Sequence, residues 1–179
     1  LIAAKLLRQP LSTGRVNGTD LMMKLLSASN TQGFRVFLFG ATQSVLESCC
    51  DVIATDFPMS VVCGKRNGYD LSEHCEDEIL QIKKAQTDIV LIALPSPAKE
   101  RVAKRLEEVG AAHVIHGVGG SFDVLAGNIS RAPVIWQRLG LEWLHRLIKE
   151  PTKMAPRVLD ENLYLLKVVC RQFLGFEKQ

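Results

Sequence analysis

Uninterrupted apolar runs alternate along most of this chain with stretches in which apolar residues recur every three or four positions. "FRVFLFG", "MSVVCG", "DIVLIAL" and "AHVIHGV" are short runs bounded by glycine, proline or polar residues. Because they do not alternate with polar residues, they predict strands buried on both faces. "TQSVLESCCDVIATDF" has helical period, with Val45, Cys49, Val52 and Ile53 inward, and "SEHCEDEILQIKKAQ" and "ERVAKRLEEVG" are further amphipathic helices. Ahead of the first strand, "LIAAKLLRQP" reads as a helix tail ended by Pro10, followed by the polar loop "LSTGRVNGTD". The helix "LMMKLLSASN" comes next, capped by Thr19 or Asp20, with Leu21, Leu25 and Leu26 on one face.

Strand and helix thus alternate through four strands. This order predicts a doubly wound, Rossmann-like α/β domain over residues 1–130, a parallel sheet covered by helices. From Pro133 the pattern changes. "PVIWQRLGLEWLHRLIKEP" reads as one amphipathic helix ended by Pro151. At helical spacing Trp136, Trp143, Leu144 and Leu147 fall together, with Arg138, His145 and Lys149 opposite. Such a tryptophan stripe packs the segment onto the domain or onto a membrane surface. A last helix, "RVLDENLYLLKVVCRQFLGF", repeats Leu159, Leu163, Leu166, Cys170 and Phe173. Residues 131–179 form a C-terminal helical appendage.

Charge sharpens this division. Residues 1–130 carry 13 Lys and Arg against 14 Asp and Glu, whereas residues 131–179 carry 9 against 5. An anionic partner would meet the basic appendage, while a net charge of only +3 argues against a general nucleic-acid binder. Cys49, Cys50, Cys63, Cys75 and Cys170 are odd in number and lack zinc-site spacing, so they read as reduced thiols filling the core. No apolar run approaches the roughly 20 residues of a membrane-spanning helix. No signal peptide is visible.

Ligands of doubly wound sheets bind beyond the carboxyl ends of the strands. Four loops would lie there: "GATQS" with Gly40, "GKRNGYD", "PSPAKE" with Lys99 and Glu100, and "GVGGSFD". Gly119 and Gly120 would let backbone amides approach a phosphate, or would simply make a tight strand-to-helix turn. Asp123 is a cap, a contact to a ribose or sugar hydroxyl, or a base. Lys99 and Glu100 touch ligand or begin a solvent-facing helix, and Arg131 meets a phosphate or makes a surface salt bridge. His113 and His116 lack a neighbouring Cys or acid in sequence and read as buried structural histidines.

Taken as one string, "GVGGSFDVLAGNISRAP…W…LGLEWLHRLIKEP" is far more specific than its parts, and it resembles the WecG/TagA/CpsF glycosyltransferase family. "VNGTDLM", "FRVFLFGATQSVLE", "NGY" and "DIVLIALPSPAKE" fall in the order of that family's remaining motifs. The resemblance implies an inverting, metal-independent transfer without cofactor. The sugar would be of N-acetylmannosamine type or its uronic acid. It would move from a UDP-sugar to a polyprenyl-diphosphate-linked acceptor, at the cytoplasmic face of the plasma membrane, for cell-surface polysaccharide or teichoic acid. Thr19, Asp20, Gly40, Lys99, Glu100, Gly119, Gly120, Ser121, Phe122, Asp123 and Arg131 would then bind substrate. Arg138, Arg146, Lys153 and Arg157 would meet anionic lipid or the lipid diphosphate. A dimer or trimer held near "MMKLLSA" is a further family-level expectation.

The resemblance also implies a catalytic Asp in a segment preceding Leu1, so no base is assigned to a residue of this chain. The family's PKQE reads Pro97-Ala98-Lys99-Glu100 here, with Lys99 at the Gln position. A cation there would meet a diphosphate or a uronate carboxylate, or would mark lost activity. The alternative to an enzyme is a nucleotide-sugar or lipid-phosphate binding module without the base. A dinucleotide oxidoreductase is disfavoured, since no GxGxxG follows the first strand.

Overall fold

A computed structural model describes residues 17–139, 141–149 and 151–152. The segment "LIAAKLLRQP", the final helix, Cys170, Lys153 and Arg157 lie outside the described residues. The chain divides into two compact units, one spanning Val16–Ile129 and the other including the described residues from Ser130.

The first unit is built on four strands, β1 (Arg35–Gly40), β2 (Val61–Arg66), β3 (Ile89–Ala93) and β4 (Val114–Gly117). They pair in the order β2-β1-β3-β4, every pair parallel. The helices are α1 (Gly18–Gln32), α2 (Gln43–Asp56), α3 (Glu76–Lys84), α4 (Ala98–Glu108) and the short α5 (Ser121–Leu125). This is the α/β, Rossmann-like sheet the apolar runs predict. Past Arg35 the two central strands are apolar because each feeds two cores, whereas the outer strands β2 and β4 are half-exposed edges, not buried on both faces as the runs predict. Val36, Leu38 and Leu91 pack with Met22, Leu26, Leu46, Ile53 and Phe122 on one face. Phe37, Phe39, Val90 and Ile92 pack with Ile79, Ile82, Val102 and Leu106 on the other.

Two sequence expectations for the helices are corrected. The N-cap of α1 is Asn17, whose side-chain oxygen accepts the Thr19 amide at 2.8 Å, not Thr19 or Asp20. Its inward face is Met22, Leu26 and Ser29, and Leu21 is exposed. The helix starts three residues earlier than its apolar run, so the face is set by what the first turn docks against. In α2, Leu46 joins Val45, Cys49 and Ile53 in the core, while Val52 is half-buried. The acidic segment "SEHCEDEILQIKKAQ" also breaks before its helix. Glu73–Cys75 form a 3-10 turn in which His74 and Cys75 are left-handed, at φ 54° and 60°.

In the second unit, the single amphipathic helix expected from Pro133 to Pro151 is two: α6 (Val134–Leu139) and α7 (Glu142–Lys149). The non-helical Leu141 between them resets the phase of the pattern. His145, expected opposite the tryptophans, therefore meets Trp136 edge-on, with ring centroids 6.0 Å apart. Val134, Ile135, Trp143 and Ile148 are exposed. Among the described residues no helix is long and apolar enough to cross a membrane.

Candidate functional site

Strand order reverses between β1 and β3, and the crevice beyond their carboxyl ends is where such sheets hold ligands. The chain makes its turns there unusually tight. Gly40 ends β1 at φ 110°, and a Cβ on it would collide with the backbone of Ala93 at the end of β3. Only glycine fits both demands. The following amide, of Ala41, bonds the Ala93 carbonyl at 3.0 Å, and the Gly68 amide bonds the Ala41 carbonyl at 2.9 Å. These bonds bring the ends of β1 and β3 and the loop after β2 together over the reversal point.

That loop is braced from beneath. Arg66 at the end of β2 bonds Glu78 of α3 at 3.2 Å and the Asp70 carbonyl at 2.6 Å. Glu78 is buried, and its second oxygen accepts the Ser72 hydroxyl at 2.6 Å. Burial opposes the Glu78 charge, but the Ser72 hydroxyl, backbone amides and Arg66 outweigh it and hold the carboxyl below its ordinary range. Asn67 accepts the Tyr69 amide at 3.0 Å, and the Tyr69 ring stands exposed at the loop tip. Sequence reasoning quoted this loop but did not find the Arg66–Glu78 brace. The signal was a basic residue ending a strand and an acidic one opening the next helix.

At the end of β4 the glycines have separate tasks. Gly119 is left-handed at φ 53°, and Gly120 caps α5. Gly117 faces the Lys99 stem, whose Cδ lies 2.7 Å from where a Cβ would stand. The N-terminus of α1 docks alongside. The Ser121 hydroxyl donates to the Val118 carbonyl at 2.8 Å, so the Thr19 hydroxyl, 2.8 Å from Ser121 Oγ, is the donor of that pair. His116 Nε2 lies 3.0 Å from the Gly18 carbonyl, which can only accept, so Nε2 carries the proton. Two motifs about a hundred residues apart in sequence thus share one surface.

Several expected contacts are redrawn. Phe122 has no exposed surface, and Ser121 and Gly40 are buried, so these three shape the loops rather than reach a ligand. Asp123 does not cap: α5 has no side-chain cap, and the half-buried carboxylate makes no hydrogen bond among the described residues. Lys99 pairs with Glu100 at 3.3 Å, and Glu100 accepts the Ser96 hydroxyl at 2.8 Å. The Ser96 hydroxyl bond, then Lys99, hold exposed Glu100 below the ordinary carboxylate range. Asp20 stands in the first turn of α1, where its charge suits the helix N-terminus. Arg131 belongs to the second unit. The side chains of Arg138 and Arg146 lie outside the described residues.

His113 is not buried. Its ring is exposed at the amino ends of the strands and sits 3.4 Å from Asp88, an acid 25 positions away that only the parallel pairing of β3 and β4 brings near. His116 is hydrogen-bonded, as expected, but only half-buried. Cys49, Cys50, Cys63 and Cys75 are free thiols. Burial, then the neighbouring Cys50 and Asp123, push Cys49 up to about 12, so it stays protonated and serves packing. Among the described residues no cluster of three or more His, Cys, Asp or Glu could hold a metal ion.

The carboxyl edge of the sheet therefore carries the positive-φ turns at Gly40 and Gly119, the Lys99 ammonium and the half-buried Asp123 carboxylate. This is chemistry suited to a phosphorylated, hydroxyl-rich ligand. The full chain, residues 1–179, matches the model of the Glycosyl transferase WecG/TagA/CpsF family, and it belongs to that family.

Proposed function

We propose that this glycosyltransferase-family chain takes a UDP-sugar at the carboxyl edge of its sheet and transfers the sugar, with inversion, to a polyprenyl-diphosphate-linked acceptor. The observation that carries the reading is the Thr19–Ser121 bond, which joins the "NGTD" and "GVGGSFD" segments at the end of β4, the strand whose Gly117 meets Lys99. Inversion needs the acceptor hydroxyl to attack the anomeric carbon from the side opposite the leaving UDP. The chemical demand on the donor side is to stabilise the diphosphate as it departs. Amides of the Gly119–Gly120 turn and the Lys99 ammonium are suited to that, and Asp123 to a ribose or sugar hydroxyl. A general base must also take the acceptor proton, and none is assigned among the described residues. The donor sugar is proposed to be of N-acetylmannosamine type or its uronic acid, with no metal or other cofactor.

The acceptor reading places the second unit against anionic lipid at the inner face of the plasma membrane. Exposed Val134, Ile135, Trp143 and Ile148 and the basic surplus after residue 130 support a peripheral mode of binding. The decisive experiment measures UDP release from UDP-N-acetylmannosamine and its uronate, with and without a short polyprenyl-diphosphate-N-acetylglucosamine. Acceptor-dependent release with inverted product is expected. UDP binding without turnover would instead favour a binding module, and absence of both would remove the nucleotide-sugar reading.

A further inference from the structure

The missing side chain of Gly119 faces open space, whereas that of Gly117 is filled by another residue. A Cβ there would lie 2.7, 3.1 and 3.3 Å from Cδ, Cε and Cγ of Lys99. These are three consecutive carbons of one stem, so the lysine lies flat across the strand backbone rather than crossing it at a point. Its position is held at both ends. The Lys99 amide bonds the Pro95 carbonyl at 3.0 Å as α4 begins. The ammonium pairs with Glu100 at 3.3 Å, and Glu100 is itself tied to Ser96 at 2.8 Å. A free lysine stem loses much rotamer freedom when it is pinned. Here the bare face of Gly117 accommodates the stem in advance, and only about a quarter of the side chain, 26%, is exposed.

The Gly117 backbone is ordinary, without the positive φ of Gly119. Glycine is therefore not required at 117 for chain geometry, and its neighbour is a flexible stem rather than fixed backbone. The pairing Ile92↔Gly117 puts this seat at the carboxyl end of β4, next to the turn that carries Gly119 and Gly120.

We infer that Gly117 is a positioning residue that seats Lys99, and that the seated ammonium is the cation that meets the anionic group of the bound nucleotide sugar. That group is a diphosphate oxygen or a sugar carboxylate, which present the same chemistry to an ammonium. The inference rests on the nucleotide-sugar reading above and deepens it. Glu100 holds the ammonium in place before the ligand arrives, so the cation is preorganised rather than recruited.

A double-mutant cycle read by calorimetric titration of the full chain tests it. The ligands are UDP, uridine, UDP-N-acetylmannosamine and UDP-N-acetylmannosaminuronate. Lys99→Ala is expected to weaken the anion-dependent ligand by about tenfold, the size of one charge-assisted hydrogen bond. Gly117→Ala, which keeps the charge but displaces it, is expected to weaken the same ligand by about fivefold, and by less than about twofold once Lys99 is Ala. Loss on UDP but not uridine locates the contact at the diphosphate; loss confined to the uronate locates it at the carboxylate. Either supports the inference. Thermal midpoints of the variants confirm that they fold, and Lys99→Met repeats the charge test with an unbranched neutral stem that reaches the Cε position.

Equal binding by wild type and Lys99→Ala to every ligand would overturn the proposal. So would a Gly117→Ala penalty unchanged by removing Lys99. If wild type binds none of the UDP ligands, the underlying nucleotide-sugar reading fails, an outcome distinct from wild-type binding that is indifferent to Lys99.

Discussion

Glu78 shows how a single side chain can organise a site it never touches. Its carboxylate is buried, yet the Ser72 hydroxyl, the Ser72 amide and Arg66 satisfy it, and the loop carrying Tyr69 hangs from those bonds. Glu78→Gln takes the carboxylate from Ser72 and from Arg66, which is about a quarter exposed and stays partly solvated. It is therefore expected to cost about 1–3 kcal/mol of folding stability, read as a lower urea midpoint. Because folding lowers the Glu78 pKa from its ordinary 4.5, the charge stabilises the fold above that pH, and the contribution fades as pH falls through the folded value. Wild type should lose stability with acid across that window, and Glu78→Gln should lose less over the same range. Identical acid profiles would show that the brace contributes nothing. His113 makes the matching point about legibility. Nothing within several residues of it is acidic, so only the folded sheet reveals Asp88 beside it.

Among the elements, the strands were the most legible, since β1 and β3 are short apolar runs, too brief for a buried helix and bounded by glycine, proline or polar residues. Helix ends were less so. Thr19 and Asp20 are good capping residues, but Asn17 is at least as good a cap and takes the role, while the Thr19 hydroxyl bonds Ser121. Asn17→Ala is accordingly expected to destabilise the protein by about 1 kcal/mol, and Asn17→Gly by only a few tenths, in paired denaturant melts. Equal, negligible effects would remove the cap and with it the anchoring of α1 at the end of β4. The break between α6 and α7 has a similar lesson. A glycine in an amphipathic pattern is commonly tolerated, and the pattern alone ran through it. The Trp136–His145 contact exists because the helix does not.

On the scale of the whole molecule, chemistry and stability are separated along the sheet axis of the first unit. The amino ends carry the Asp88 bonds to Arg35 and His113. The carboxyl ends carry positive-φ turns, Gly40 and Gly119 among them, and the docked N-terminus of α1. The carboxyl edge proposed for the site follows from strand order and glycine placement, while which motif residues are accessible there was not legible. Phe122 and Ser121 fall in a motif but are buried, whereas Gly117 does its work through Lys99. The most direct test of this arrangement is a UDP titration of the isotope-labelled chain followed by backbone amide NMR. Shifts are expected at Ala41, Gly68, Lys99, Gly119, Gly120 and Asp123, with Asp88, His113 and Val114 unmoved. Saturable shifts confined to the Asp88–His113 end, or none at the carboxyl edge, would contradict the account.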